Sequence, residues 1–127
     1  MKSMRTPLGR VHGLGSAKAG TEAFWHQRLT AIANIPLIIA GVVIVISLVG
    51  RNHAAAVQIM GSPLIAIVML LFILSVTYHM RIGMQVIIED YVHEEKSKLA
   101  LIVLNTFYAI GIALASAFAI LKLAFGV

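Results

Sequence analysis

The chain has 127 residues, 60% of them hydrophobic and 12% charged, whereas soluble domains carry roughly 45–50% apolar and about 25% charged residues. That balance excludes a disordered acidic or basic tail and argues against a water-soluble globule. The net charge of +5 is spread thinly around apolar runs, so it points to membrane topology and to no nucleic-acid partner. The absence of cysteine excludes disulfides, cysteine-ligated zinc and iron–sulfur clusters within this chain.

Residues 1–28 are basic and glycine-rich, with Gly9, Gly13, Gly15 and Gly20 and a single acid, Glu22. They read as an irregular cytoplasmic N-terminal arm that lies on a partner. A cleavable signal peptide is not expected, because the first apolar run is too long and begins too late for one. Phe24 and Trp25 read as a membrane-interface belt.

Three apolar stretches follow, at about 29–50, 63–88 and 99–125. Each is long enough, at about 1.5 Å per residue, to cross a hydrocarbon core of about 30 Å. In lipid the backbone must satisfy its own hydrogen bonds. The prediction is therefore an all-α membrane protein, with a three-helix transmembrane domain over residues 29–127. Gly50 closes the first helix and residues 51–62 form a short loop. Ser62 and Pro63 read as N-cap and first residue of the second helix, and Ser97 as a cap of the third. Pro36 frees a carbonyl inside the first helix and predicts a mild kink.

Lys2, Arg5, Arg10, Lys18, Arg28, Lys96 and Lys98 fall on one side of these spans, and Arg51 and Lys122 on the other. This bias places the N-terminus and the 89–98 loop in the cytoplasm or matrix, and the 51–62 loop and C-terminus on the periplasmic side.

Polar residues inside a span are costly and mark function by default. They concentrate in the inner half of the second helix: Thr77, Tyr78, His79, Arg81 and Gln85, then Glu89-Asp90-Tyr91 at its end. The first helix has Asn34, with Arg28 at its mouth; the third has Asn105, Thr106 and Tyr108. A neutral imidazole on a rigid helix suits a haem iron, which makes His79 the candidate metal ligand. Gly83, four residues on and on the same face, would leave room for a flat macrocycle. Asp90 is eleven residues after His79, close to three turns, so it shares that face about 16 Å nearer the cytoplasm, and Tyr91 follows it. A phenol and a carboxylate at that depth suit hydrogen bonding and proton transfer to a quinone headgroup.

Plainer roles exist for each residue. A membrane histidine also serves as a hydrogen-bond partner for a neighbouring helix. Asp90 and Tyr91 also suit a solvated helix end with an interfacial aromatic, and Arg28 a snorkelling topology residue. With one histidine deep in a span, a bound haem would need its second ligand from another chain or another copy. Arg81, about 200° around the helix from His79, faces away from that site. In the third helix Gly111, Ala115 and Ala119, and separately Ala109, Ala113 and Ala117, form two small-residue stripes that let helices approach closely on two sides.

The stretch His79-Met80-Arg81-Ile82-Gly83-Met84-Gln85-Val86-Ile87-Ile88-Glu89-Asp90-Tyr91-Val92 resembles the signature of the D-type hydrophobic membrane anchors of succinate dehydrogenase. Phe24-Trp25-His26-Gln27-Arg28-Leu29-Thr30-Ala31-Ile32-Ala33-Asn34-Ile35-Pro36-Leu37 resembles the opening of their alphaproteobacterial and mitochondrial-type members, and Arg5 to Arg10 and Gly13 to Lys18 also fit. The resemblance implies half of a heterodimeric anchor bundle in a bacterial or mitochondrial inner membrane. It implies a haem b held between this chain and a second three-helix anchor, with His79 as this chain's axial ligand. Ubiquinone would be reduced near Tyr91 and Asp90, with Arg28 near the haem propionates and quinone pocket. FAD and iron–sulfur clusters would reside only in flavoprotein and iron–sulfur partner subunits. Arg81 departs from the apolar residue the resemblance leads one to expect there. Two rivals fit the residues alone: a homo-oligomeric proton-coupled transporter, with His79 as relay and Arg81 as substrate contact, and a purely structural anchor.

Overall fold

A computed structural model describes residues 4–13 and 19–127. Lys2, Gly15 and Lys18 lie outside the described residues. Five helices follow one another: α1 (Pro7–His12), α2 (Ala19–Leu48), α3 (His53–Met60), α4 (Pro63–Tyr91) and α5 (Glu95–Phe125). Three of them are long and apolar enough to cross a membrane, over Thr21–Leu48, Pro63–Tyr91 and Glu95–Phe125. The expected all-α, three-span architecture is therefore present.

The boundaries differ from the expectation in instructive ways. The described part of the arm is helical rather than irregular. Thr6 caps α1 by accepting a hydrogen bond from the Gly9 amide at 3.0 Å, with Pro7 at the first position. The helix that carries the first span begins at Ala19 rather than near Leu29, because the polar segment before Leu29 extends the same helix, with Glu22 in its first turn. Arg28 thus lies inside α2, not at its mouth. The 51–62 segment holds a helix of its own: Asn52 accepts from the Ala55 amide at 2.9 Å and starts α3. Ser62 and Pro63 open α4 as expected. The N-cap of α5 is Glu94 and not Ser97, whose hydroxyl instead donates to the Glu94 carboxylate at 2.9 Å. α2 continues through Pro36.

α4 is the middle helix. It packs along α2 on one side and α5 on the other, while α3 closes the end of the layer against α4 and α5. The α2–α4 seam is built from Gln27, Thr30, Asn34 and Gly41, whose spacing keeps them on one helical face. Gly41 receives the Phe72 ring, 3.7 Å from where a Cβ would stand. The α4–α5 seam uses the second small-residue stripe: Ala109 is only 4% exposed, and Asn105 donates across it to the Arg81 carbonyl at 2.9 Å. The first stripe, Gly111, Ala115 and Ala119, faces outward. Among the described residues no large side chain is completely enclosed, as befits helices in a single layer.

At the far end, Gly61 brings the α3–α4 corner against the end of α5. A Cβ there would stand 3.0 Å from the carbonyl oxygens of Leu123 and Val57. A Cβ at Gly111 would meet nothing within 4 Å. Gly61→Ala should therefore lower the thermal unfolding midpoint of the purified chain in detergent. Gly111→Ala should hold or raise it, since alanine in a helix interior is favoured by roughly 0.5–1 kcal/mol. The reverse order would contradict this packing.

Candidate functional site

The polar residues gather where the Tyr91 end of α4 meets the first half of α2. His79 is half-buried in the α2–α4 seam, and its Nδ1 lies 3.0 Å from the Thr30 hydroxyl. That hydroxyl is also 2.8 Å from the His26 carbonyl and 3.1 Å from that of Gln27. His79 Nε2 has no hydrogen-bond partner among the described residues, so one ring nitrogen is held and the other is not.

The space at Gly83 is used by α2: a Cβ there would stand 3.3 Å from the Gln27 side-chain nitrogen. Here Gly83 lets the Gln27 amide approach α4, where the sequence suggested room for a macrocycle. The other end of that amide, Gln27 Oε1, is buried without a hydrogen-bond partner, as is Asn34 Oδ1 further along the seam.

Asp90 and Tyr91 close α4, three turns beyond His79. Both are exposed, Tyr91 at 78%, so the phenol and the carboxylate stand open to a partner or a ligand. Arg28 does not join His79. It is two residues from Thr30 and so turned about 200° from it around α2. Its guanidinium lies 4.8 Å from the Phe24 ring centroid, an arrangement attractive by roughly 0.5–1 kcal/mol at an exposed site. The structure thus brings His79 and Gly83 to one seam, puts Asp90 and Tyr91 at its mouth, and leaves Arg28 on the outer face of α2.

Several participants escaped the sequence reading. Thr30 and Gln27 touch the His79 face directly. His26 shares a 2.8 Å hydrogen bond with the Tyr78 hydroxyl, with ring centroids 5.7 Å apart. The spacing of Gln27, Thr30 and Asn34 at three and four residues was the available signal. Arg81 is about 200° around α4 from His79. With Glu22, His26, Tyr78 and Glu89 it lines a cavity of about 300 Å³ between α2 and α4, and its Nε is buried without a partner. Gln85 in the same wall donates to Glu89 at 2.9 Å.

Residues 2–113 match the family described as Succinate dehydrogenase/Fumarate reductase transmembrane subunit. The chain belongs to that family. More particularly, it is 26% identical over 121 residues to the succinate dehydrogenase hydrophobic membrane anchor subunit of Paracoccus denitrificans, covering 95% of this chain and 93% of the relative. It is 30% identical over 108 residues to the subunit of that name in Rickettsia bellii, covering 84% and 85% of the two chains. It is 33% identical over 98 residues to the succinate dehydrogenase membrane anchor subunit of Reclinomonas americana, covering 75% and 82%. No solved structure matches it significantly. These relatives and the three apolar helices make it a multi-pass membrane protein whose homologues are anchors of an enzyme complex.

The His26–Tyr78 contact is open to a double-mutant cycle. His26→Ala and Tyr78→Phe should couple by about 0.6 kcal/mol, the average for hydrogen bonds between membrane helices, read as unfolding free energy in detergent. Strictly additive effects would show that the contact contributes nothing.

Proposed function

We propose that this chain is the D-type membrane anchor of a succinate:ubiquinone oxidoreductase, contributing one axial haem b ligand and part of the ubiquinone-reduction site. His79 carries the reading. In a chain of this family, a half-buried imidazole lies about three turns inside the second span, with Nδ1 held by Thr30 and Nε2 unpartnered. Among the described residues no group of three or more His, Cys, Asp or Glu could hold a bare metal ion. A lone imidazole instead suits an axial position on an iron whose remaining ligands come from a porphyrin and another chain.

When bound, haem b supplies one-electron redox chemistry at this site. His79 donates the Nε2 lone pair. Gly83 keeps the helix slender at the same level and admits Gln27. Tyr91 donates a hydrogen bond to a carbonyl oxygen of ubiquinone. Asp90 orients that phenol or passes it a proton from the aqueous side. Arg28, already on the outer face of α2, offers its cation to haem propionates and to the quinone pocket from outside the seam. FAD and iron–sulfur clusters held by other subunits would supply succinate oxidation and the electron relay, and ubiquinone near Tyr91 would take two electrons and two protons to become ubiquinol.

The basic residues on the Arg28 and Lys96 side support an orientation with the N-terminus and the α4–α5 connection in the cytoplasm or matrix. The flavoprotein and iron–sulfur subunits dock there, against the end that presents Tyr91. A second three-helix anchor beside this chain in the bacterial or mitochondrial inner membrane would supply the other haem ligand.

His79→Ala in the assembled complex should abolish the haem bands of the reduced-minus-oxidised spectrum. Unchanged bands at unchanged complex yield would remove the ligand assignment. Tyr91→Phe should slow quinone reduction about two- to tenfold, the equivalent of one hydrogen bond of about 0.5–1.5 kcal/mol, while reduction of an artificial dye by the soluble subunits persists. Equal rates in both assays before and after substitution would defeat the quinone role.

A further inference from the structure

Thr30 is the only described side chain that hydrogen-bonds His79, and its own geometry favours one direction for that bond. A threonine hydroxyl has one hydrogen and two lone pairs. In α2 the oxygen sits 2.8 Å from the His26 carbonyl, four residues back, and 3.1 Å from the Gln27 carbonyl, three back. That is the usual back-bonding arrangement of threonine inside a helix, and it uses the hydrogen. The oxygen then has only lone pairs to offer His79, 3.0 Å away, so Nδ1 must carry the imidazole proton and Nε2 the free pair. The opposite tautomer would set two lone pairs against each other at Nδ1.

We infer that Thr30 is a positioning residue for His79: it fixes the Nδ1–H tautomer and the ring's rotation, so that Nε2 is presented as a metal ligand. The inference rests on the reading of His79 as a haem ligand and deepens it. Partners on the non-coordinating nitrogen commonly orient metal-binding histidines and raise their basicity. What is particular here is the source of the bond. It comes from α2, across a helix–helix seam, so ligand orientation depends on α2 and α4 staying in register. Gln27 against Gly83, one turn away, holds that register.

Three variants of the assembled complex test this, read by the haem-to-flavin ratio after detergent washing, the haem midpoint potential and the electron paramagnetic resonance of the oxidised haem. Thr30→Val keeps the branched shape and removes the acceptor. It should weaken haem retention about 10- to 100-fold, in the range for lost partners of a ligating histidine. It should also raise the midpoint potential, because a less basic imidazole favours ferric iron less, and should shift the low-spin resonance. Thr30→Ser, which keeps the hydroxyl, should restore all three. Thr30→Ala should reproduce the valine phenotype and serves if the valine complex fails to accumulate. Valine or alanine complexes with parental potential, resonance and retention would overturn the inference. So would a serine complex that fails like valine, since shape and not the hydroxyl would then be the cause. His79→Ala, run alongside, separates the two levels: a haem retained there sinks the ligand reading itself, whereas a haem lost there with Thr30→Val silent sinks only the role of Thr30.

Discussion

Helices immersed in lipid gain little by hiding leucine from one another, because acyl chains are as apolar as leucine. What holds these spans together is what is not leucine. On the α2 side of α4 the contacts are a threonine on a histidine, a glutamine amide over a glycine, a tyrosine on a histidine, and a glycine under a phenylalanine ring. On the α5 side they are a buried alanine and an asparagine that reaches a backbone carbonyl. The groups that hold the helices are therefore largely the same groups proposed to bear chemistry, so on that proposal packing and function change together along the first half of α2.

This arrangement also explains the distribution of exposure. With α4 in the middle of a single layer, α2 and α5 each keep most of their surface for lipid or a neighbouring subunit. A layer so open is suited to pairing with a second one. The outward stripe of Gly111, Ala115 and Ala119 and the outward Arg28 belong to that unpaired surface. The polar end gathers Glu22, His26, Arg81 and Glu89 around one cavity and exposes Asp90 and Tyr91. The opposite end, closed by α3, carries little charge.

Much of this was legible in the residues. Uninterrupted hydropathy located the three spans, and Ser62-Pro63 located the start of α4 to the residue. The His79-to-Tyr91 spacing carried the family. The start of α2 was misplaced because residues 19–28 are too polar for a hydropathy criterion yet continue the same helix beyond the apolar run. α3 was missed because a stretch of eight residues looks like a loop unless its Asn52 cap is noticed. Thr30 and Gln27 were passed over for a physical reason: a threonine in a membrane helix can satisfy itself on its own backbone, so its second partner becomes visible only when the facing helix is in place. Gly83 shows the converse, since a small residue records that something comes close without recording what.

The central claim is that the imidazole of His79 reaches iron through Nε2 while α2 holds its other nitrogen. Electron cryomicroscopy of the intact complex, at a resolution that shows side chains, tests it most directly. The account predicts a porphyrin iron on Nε2, with Nδ1 turned to the Thr30 oxygen and a second imidazole from the neighbouring anchor on the opposite side. A ring directed into acyl chains, or an iron ligated wholly by other subunits, would contradict it.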